Sequence, residues 1–163
     1  MFDPTVFDNL KVVVEGDLYD LDLEGKIQIA DRKDRIDLAT MSRSFSMKVT
    51  LDGSVFGEII LSSDIENISG ELLRLNNKPG CQVKLKFTKT AHSEADIDTE
   101  VSNLRELLSQ IWEEREIRIF STINHEKKEE IKLTAVVGFS RPIHEENIDD
   151  LRDMLTYMVK SLR

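Results

Sequence analysis

The segment 44–61 constrains the fold more than any other, because its two alternating halves fix a hairpin register. SFSMKVTL and VFGEIIL flank the tripeptide DGS. A three-residue loop places Met47 opposite Ile59 on an apolar face and Lys48 opposite Glu58 on a charged one. A two-residue turn would instead bring Glu58 onto the buried face, where an unpaired carboxylate is costly. The pattern therefore predicts two antiparallel strands with one buried face.

The first sixty residues contain short alternating runs typical of a β-meander, separated by turn signals at Glu15-Gly16-Asp17, Glu24-Gly25 and Arg32-Lys33-Asp34. The meander would let the N-terminal end of the sheet curve into a partial barrel. The residues that would share strand faces are Leu10, Val12 and Val14, then Tyr19, Leu21 and Leu23 with Asp20 and Asp22 pointing away, then Ile27 with Ile29, and Ile36 with Leu38.

Helical spacing appears in three later segments. A short helix is predicted at about 64–75, capped by Ser63 or Asp64 and followed by the turn Pro79-Gly80. Apolar residues that recur every three or four positions predict two long helices, at about 93–113 and 145–162. Strands are expected between them near 81–87, 116–123 and 130–140. We therefore predict a single α+β domain over 1–163, with a mainly antiparallel sheet.

Composition limits the classes of function. The net charge of −9 argues against general nucleic-acid binding, and no apolar run reaches the length of a membrane helix. The N-terminal residues lack the pattern of a secretory signal, and the single cysteine, Cys81, suits a reducing compartment. We expect a cytoplasmic protein that does not enter membranes.

Motifs for catalysis or metal binding are weak. The segment 20–31, DLDLEGKIQIAD, has carboxylates at the first, third and fifth positions of an EF-hand calcium loop, but Asp31 replaces the closing glutamate. His92, His125 and His144 are too dispersed for a zinc site, and no nucleophile elbow, phosphate loop or dinucleotide fingerprint is present. We expect no catalytic residue, no metal and no cofactor, which leaves an enzyme as the third choice of function.

One family resemblance rests on the hairpin, on Asn67-Ile68-Ser69 and on the strand PGCQVKLKF. These features resemble parts of a PilZ domain, a small β-barrel that often binds cyclic di-GMP. The resemblance implies that Asn67 and Ser69 belong to the turn that holds the dinucleotide. Leu72 stands where the family has glycine, and Arg32 and Arg35 are three apart where the family's arginine pair is four apart.

Charge is segregated between residues 72 and 93. This stretch has no acidic residue but several cations, and lysines on the outer face of a strand could bind an anionic small molecule or an acidic protein. The predicted anion or partner-binding patch consists of Arg74, Lys78, Lys84, Lys86 and Lys89.

A non-catalytic cytoplasmic binding or assembly domain is the function that this pattern favours. The main alternative is a ligand sensor that resembles a degenerate PilZ barrel. We also predict a homodimer through the long helices, because Leu107, Trp112, Met154 and Tyr157 lie beside their main apolar stripes.

Overall fold

The computed structural model of the chain describes residues 5–75 and 78–163. Short 3₁₀ turns at 94–96 and 145–147 precede the third and fourth helices. The ten principal elements are α1 (Val6–Leu23), β1 (Gln28–Asp37), β2 (Ser42–Thr50), β3 (Val55–Ser63), α2 (Ile65–Leu72), β4 (Gln82–Ala91), α3 (Ile97–Trp112), β5 (Glu116–Asn124), β6 (Lys127–Gly138) and α4 (Ile148–Lys160).

The six strands form one antiparallel sheet in the order β1-β2-β3-β4-β6-β5. The α+β class is confirmed. So is the hairpin register, because Met47 pairs with Ile59 and Lys48 pairs with Glu58. The sheet is open, with β1 and β5 at its two ends, so the partial barrel considered from the sequence is not formed.

One face of the sheet carries the core, and we call it the covered face. Most of its central strand residues are almost fully buried, as at Met47, Leu85 and Leu133, because α1, α3 and α4 contribute buried side chains to the same apolar cluster. A side chain added at Gly57 on this face would lie 3.0 Å from Leu162 beside the end of α4. The molecule is therefore a two-layer structure, with the sheet as one layer and the helices as the other.

The N-terminal meander predicted from the sequence is wrong, because residues 6–23 form the helix α1. Thr5 and Asp8 make a reciprocal capping box at its start, which satisfies free backbone donors. The buried residues recur at helical spacing: Val6, Phe7, Leu10, Val14 and Leu18. Val12 and Leu23, assigned to strand faces, are 65% and 87% exposed on the outer side of the helix.

The expected turn at Arg32-Lys33-Asp34 is also wrong, because β1 runs through these residues. The three later helices are confirmed. Asp64 caps α2 by accepting a hydrogen bond from the backbone N–H of Asn67, at 2.9 Å. In the long helices, Leu104, Leu108, Leu151 and Leu155 are buried against the sheet.

Candidate binding face of the sheet

The second face of the sheet, which we call the open face, carries the alternate residues of the same strands. Most of its side chains are half-buried or exposed, and Thr50 at the end of β2 is buried. Across the middle of the sheet, one row runs Asp31, Lys48, Glu58, Lys86, Val136 and Arg118. A neighbouring row runs Thr50, Phe56, Thr88, Thr134 and Phe120.

The open face is basic although the protein is acidic. Its paired strand positions carry seven cations and four carboxylates, a net charge of +3. Because the whole chain has a net charge of −9, the remaining residues carry −12. Such a separation creates a positive local field that attracts negative groups. The cations are Lys33, Arg35, Lys48, Lys84, Lys86, Arg118 and Lys132, and the carboxylates are Asp31, Asp37, Glu58 and Glu116.

Lys84 and Lys86 project from the centre of the open face, as the strand alternation predicted. Lys84 is exposed and lies between Ile60 and Gly138 in the register. Lys86 is half-buried between Glu58 and Val136. The ammonium of Lys48 lies 3.8 Å from the carboxylate of Glu58 in the same row. Cations here stand beside apolar groups, an arrangement that suits a partner with both acidic and apolar side chains.

The other predicted patch residues are not on the same surface. Lys89 falls in the register of the covered face, between Val55 and Leu133. Arg74 is exposed just after α2, and Lys78 reaches Glu146 at 3.7 Å. Of the five predicted patch residues, Lys84 and Lys86 therefore lie on the open face. The other cations of this face come from β1, β2, β5 and β6.

A cavity of about 540 Å³ opens at one end of the open face. Phe56, Lys132 and Lys89 are among its lining residues, together with the threonines of β4 and β5. The hydroxyl and ammonium donors and the aromatic ring offer contacts to a small organic anion, and the carboxylate of Glu130 in the same lining opposes one. The threonines are Thr88, Thr90 and Thr122.

A wider cleft of about 1200 Å³ runs between the end of α3 and α4. Trp112 is one of its lining residues and donates from Nε1 to Ser161 Oγ at 3.0 Å. The rings of Phe139 and Tyr157 stand edge-on to Trp112, with centroids 5.9 and 6.0 Å away. The sequence did not predict this aromatic cluster. Two of the four residues assigned to a helix-mediated dimer surface, Trp112 and Met154, are instead buried.

Cys81 is buried, and the ring of His144 contacts the backbone. Burial raises the pKa of the Cys81 thiol to about 12, which keeps it protonated and unreactive at neutral pH. His144 Nδ1 lies 3.0 Å from the carbonyl oxygen of Pro79. Among residues 5–75 and 78–163, no cluster of three or more histidine, cysteine or acidic side chains could hold a metal ion. In the segment that resembles a calcium loop, Glu24 pairs with Lys26 at 2.7 Å.

The residues that carry the PilZ resemblance are dispersed. Arg32 lies on the covered face and binds Glu15, whereas Arg35 is on the open face opposite Ser44. Asn67 and Ser69 lie on α2, where their side chains bond to Asp64 and to the backbone of Ile65.

Comparison of the chain with protein-family models, with curated proteins and with solved structures found no match. Among the described residues, no helix has the length and apolarity needed to cross a membrane.

Proposed function

We propose that this chain is a non-catalytic cytoplasmic binding domain whose open face holds an acidic, partly apolar segment of another protein. The observation that carries the proposal is the balance of +3 on this face of a −9 chain. Complementary charge steers a partner to such a surface and fixes its orientation. Ile60, Val136 and Phe120 supply apolar contacts between the cations.

A protein segment suits this face better than a nucleic acid. Carboxylates alternate with the cations on this face, at Asp31, Glu58 and Glu116. They would repel the continuous line of phosphates that a nucleic acid presents. An acidic polypeptide can place its carboxylates selectively beside Lys84 and Lys86 and its apolar side chains beside Ile60. The negative remainder of the molecule also repels long polyanions.

The second candidate is a sensor of a small organic anion, which the cavity lined by Phe56, Lys89 and Lys132 favours. This candidate keeps the ligand-sensing alternative predicted from the sequence, but it does not require a barrel. In that case only the end of the open face would bind, and the central lysines would contribute little.

The test uses a fluorescein-labelled peptide that alternates glutamate with leucine, and measures anisotropy at low and at physiological salt. The variant Lys84→Glu/Lys86→Gln removes the central cations, and glutamine avoids a second carboxylate opposite Glu58. The control Lys26→Glu/Arg163→Gln makes the same change in charge on exposed residues outside the sheet.

We expect salt-sensitive binding by the wild type and the control, and a loss of roughly tenfold or more in affinity for the central variant. Equal affinity of the two variants would contradict the proposal. A lysine-leucine peptide should not bind, and a single-stranded oligonucleotide that bound more tightly than the acidic peptide would favour nucleic acid instead. If neither the acidic peptide nor the oligonucleotide bound, and small organic phosphates raised the melting temperature, the sensor would be favoured.

A further inference from the structure

The strand β5 forms one end of the sheet, and its outer side has no strand partner within residues 5–75 and 78–163. Its sequence, EIRIFSTIN, is rich in β-branched and aromatic residues and has no proline. Phe120 is 53% exposed. An edge of this kind presents a row of backbone donors and acceptors to any strand that can align with it.

The opposite edge is built differently. β1 has a bulge between Ile29 and Asp31, and six of the residues that follow the bulge are charged. The helix α1 also binds this end of the sheet, through Lys11 to Asp34 at 2.5 Å and through Glu15 to Arg32 at 2.5 Å. Bulges and charges are the features that protect edges from further pairing. β5 has fewer of them: its one irregularity lies at its end, between Ile123 and Asn124, and its charged residues are Glu116 and Arg118, so residues 119–123 are uncharged.

One contact indicates the direction of the free backbone groups on β5. The carbonyl oxygen of Ile117 accepts a hydrogen bond from Arg105 Nη1 at 3.2 Å, as expected of a carbonyl that points away from β6. Because backbone groups alternate along a strand, the N–H and C=O groups of Ile119, Ser121 and Ile123 also point outward.

We propose that β5 pairs antiparallel with β5 of a second copy of this chain, about a twofold axis at Phe120. This register sets Arg118 opposite Thr122, Ile119 opposite Ser121, and Ile117 opposite Ile123. The two Phe120 rings meet on the open face, and the covered faces join through isoleucines. No like charges oppose each other, whereas a register centred on Arg118 would oppose two guanidinium groups.

The pairing gives a continuous sheet of twelve strands and places two open faces side by side. It differs from the dimer through the long helices that the sequence suggested. It is also independent of the acidic partner proposed above, because it uses the edge of the sheet and needs no ligand.

The test measures the monomer–dimer equilibrium of the full chain by sedimentation over a wide micromolar range. Thr122→Lys would oppose Arg118 of the second copy twice in each dimer, and Thr122→Glu would attract it. The control Thr90→Lys lies on the interior strand β4, also opposite Lys132. We expect Thr122→Lys to weaken the dimer roughly 2- to 30-fold relative to this control, and Thr122→Glu to tighten it.

A second variant removes a backbone donor. Ser121→Pro deletes an outward N–H that β6 does not use, so the monomer should still fold while the dimer is lost. A melting curve establishes the fold, and Ser121→Thr is the control. A wild-type chain that remains monomeric, equal effects of lysine and glutamate at Thr122, or a dimer that survives in a folded Ser121→Pro variant would overturn the proposal.

Discussion

The two faces of the sheet use the same strands but differ in what their side chains do. On the covered face, alternate residues such as Met47 and Leu85 are fully buried beneath the helices. On the open face, their neighbours Lys48 and Lys86 remain accessible and contribute to a basic surface. Folding therefore depends mainly on one set of alternate residues, and the other set is free to be selected for binding.

At the β1 end of the covered face, several charged side chains replace apolar ones. There Arg43 on β2 binds Asp8 of α1 at 2.8 Å and Asp34 of β1 at 3.3 Å, and its guanidinium lies 4.5 Å from the Phe7 ring centroid. Lys11 completes the group by binding Asp34. Partly exposed ions thus replace hydrophobic contacts where the helix layer meets the edge strand, so the contrast between the faces is weakest at this end.

Met47→Ala should give the largest loss of stability and Lys48→Ala one of the smallest, although the two residues are adjacent. Met47 is fully buried, so its truncation leaves a cavity and should lower the free energy of unfolding by about 2–5 kcal/mol. Lys48 takes part in an accessible ion pair with Glu58, and its loss should cost less than about 1 kcal/mol. Chemical denaturation measures both, and equal losses would contradict the assignment of faces.

Replacing a glycine with alanine tests the two faces by adding a methyl group instead of removing a side chain. At Gly57 on the covered face, the added carbon would lie 3.0 Å from Leu162 and 3.3 Å from Met158, so we expect a loss of about 1–3 kcal/mol. At Gly138 on the open face, the nearest atom would be 3.9 Å away. Gly138→Ala should leave the melting temperature unchanged or slightly raised. A lower melting temperature for Gly138→Ala than for Gly57→Ala would contradict the assignment of the two faces.

The charged end of the covered face should make stability depend on acid. Partial burial alone would raise the pKa values of Asp8 and Asp34, but hydrogen bonds from Arg43 to Asp8 and from Lys11 to Asp34 outweigh it and hold both below the ordinary value of 3.8. A lowered folded-state pKa stabilises the fold above the unfolded value, and this stabilisation is lost as pH falls through the folded value.

The contribution of these ion pairs to the free energy of unfolding should therefore be constant near neutral pH. Below about pH 4 it should decrease, by about 0.2–1 kcal/mol for each pair lost. Asp34→Asn should reduce the size of this decrease. Urea denaturation at several pH values measures it, with Asp22→Asn at the exposed end of α1 as the control. An acid dependence that Asp34→Asn and Asp22→Asn change equally would show that the ion pairs do not cause it.

The smallest effect on stability is expected from Lys84→Glu, because the side chain is exposed between Ile60 and Gly138. The free energy of unfolding should change by less than about 0.5 kcal/mol, as for most surface substitutions. Denaturation at low and high salt checks this. A loss comparable to that of Gly57→Ala would mean that the open face contributes to folding, and would remove the contrast between the faces.

Local sequence patterns predicted the elements that have one dominant period. The hairpin of β2 and β3 has an apolar face that only one register leaves intact, and α3 and α4 each have a clear stripe of apolar residues. The helix α1 was mistaken for strands because Leu10, Val12 and Val14 alternate. Its capping box at Thr5 and Asp8, and the spacing of four from Leu10 through Val14 to Leu18, were the signals that could have identified it.

The candidate site could be predicted only in part, because it depends on the order of the strands. Strand alternation correctly placed Lys84 and Lys86 on an outer face. It could not show that Lys48 and Arg118, from distant parts of the sequence, share the same row, nor that β5 would be an edge. The sequence also placed Lys89 in the same patch, although β4 carries it on the other face.

The most direct measurement of the central claim is an NMR titration of the ¹⁵N-labelled chain with the glutamate-leucine peptide. We expect the amide shift changes to concentrate on the central strands, around Ile60, Lys84, Lys86 and Val136, and to diminish as salt is added. Changes confined to the cleft beside Trp112 and Tyr157, or changes that salt does not affect, would contradict the assignment of binding to the open face.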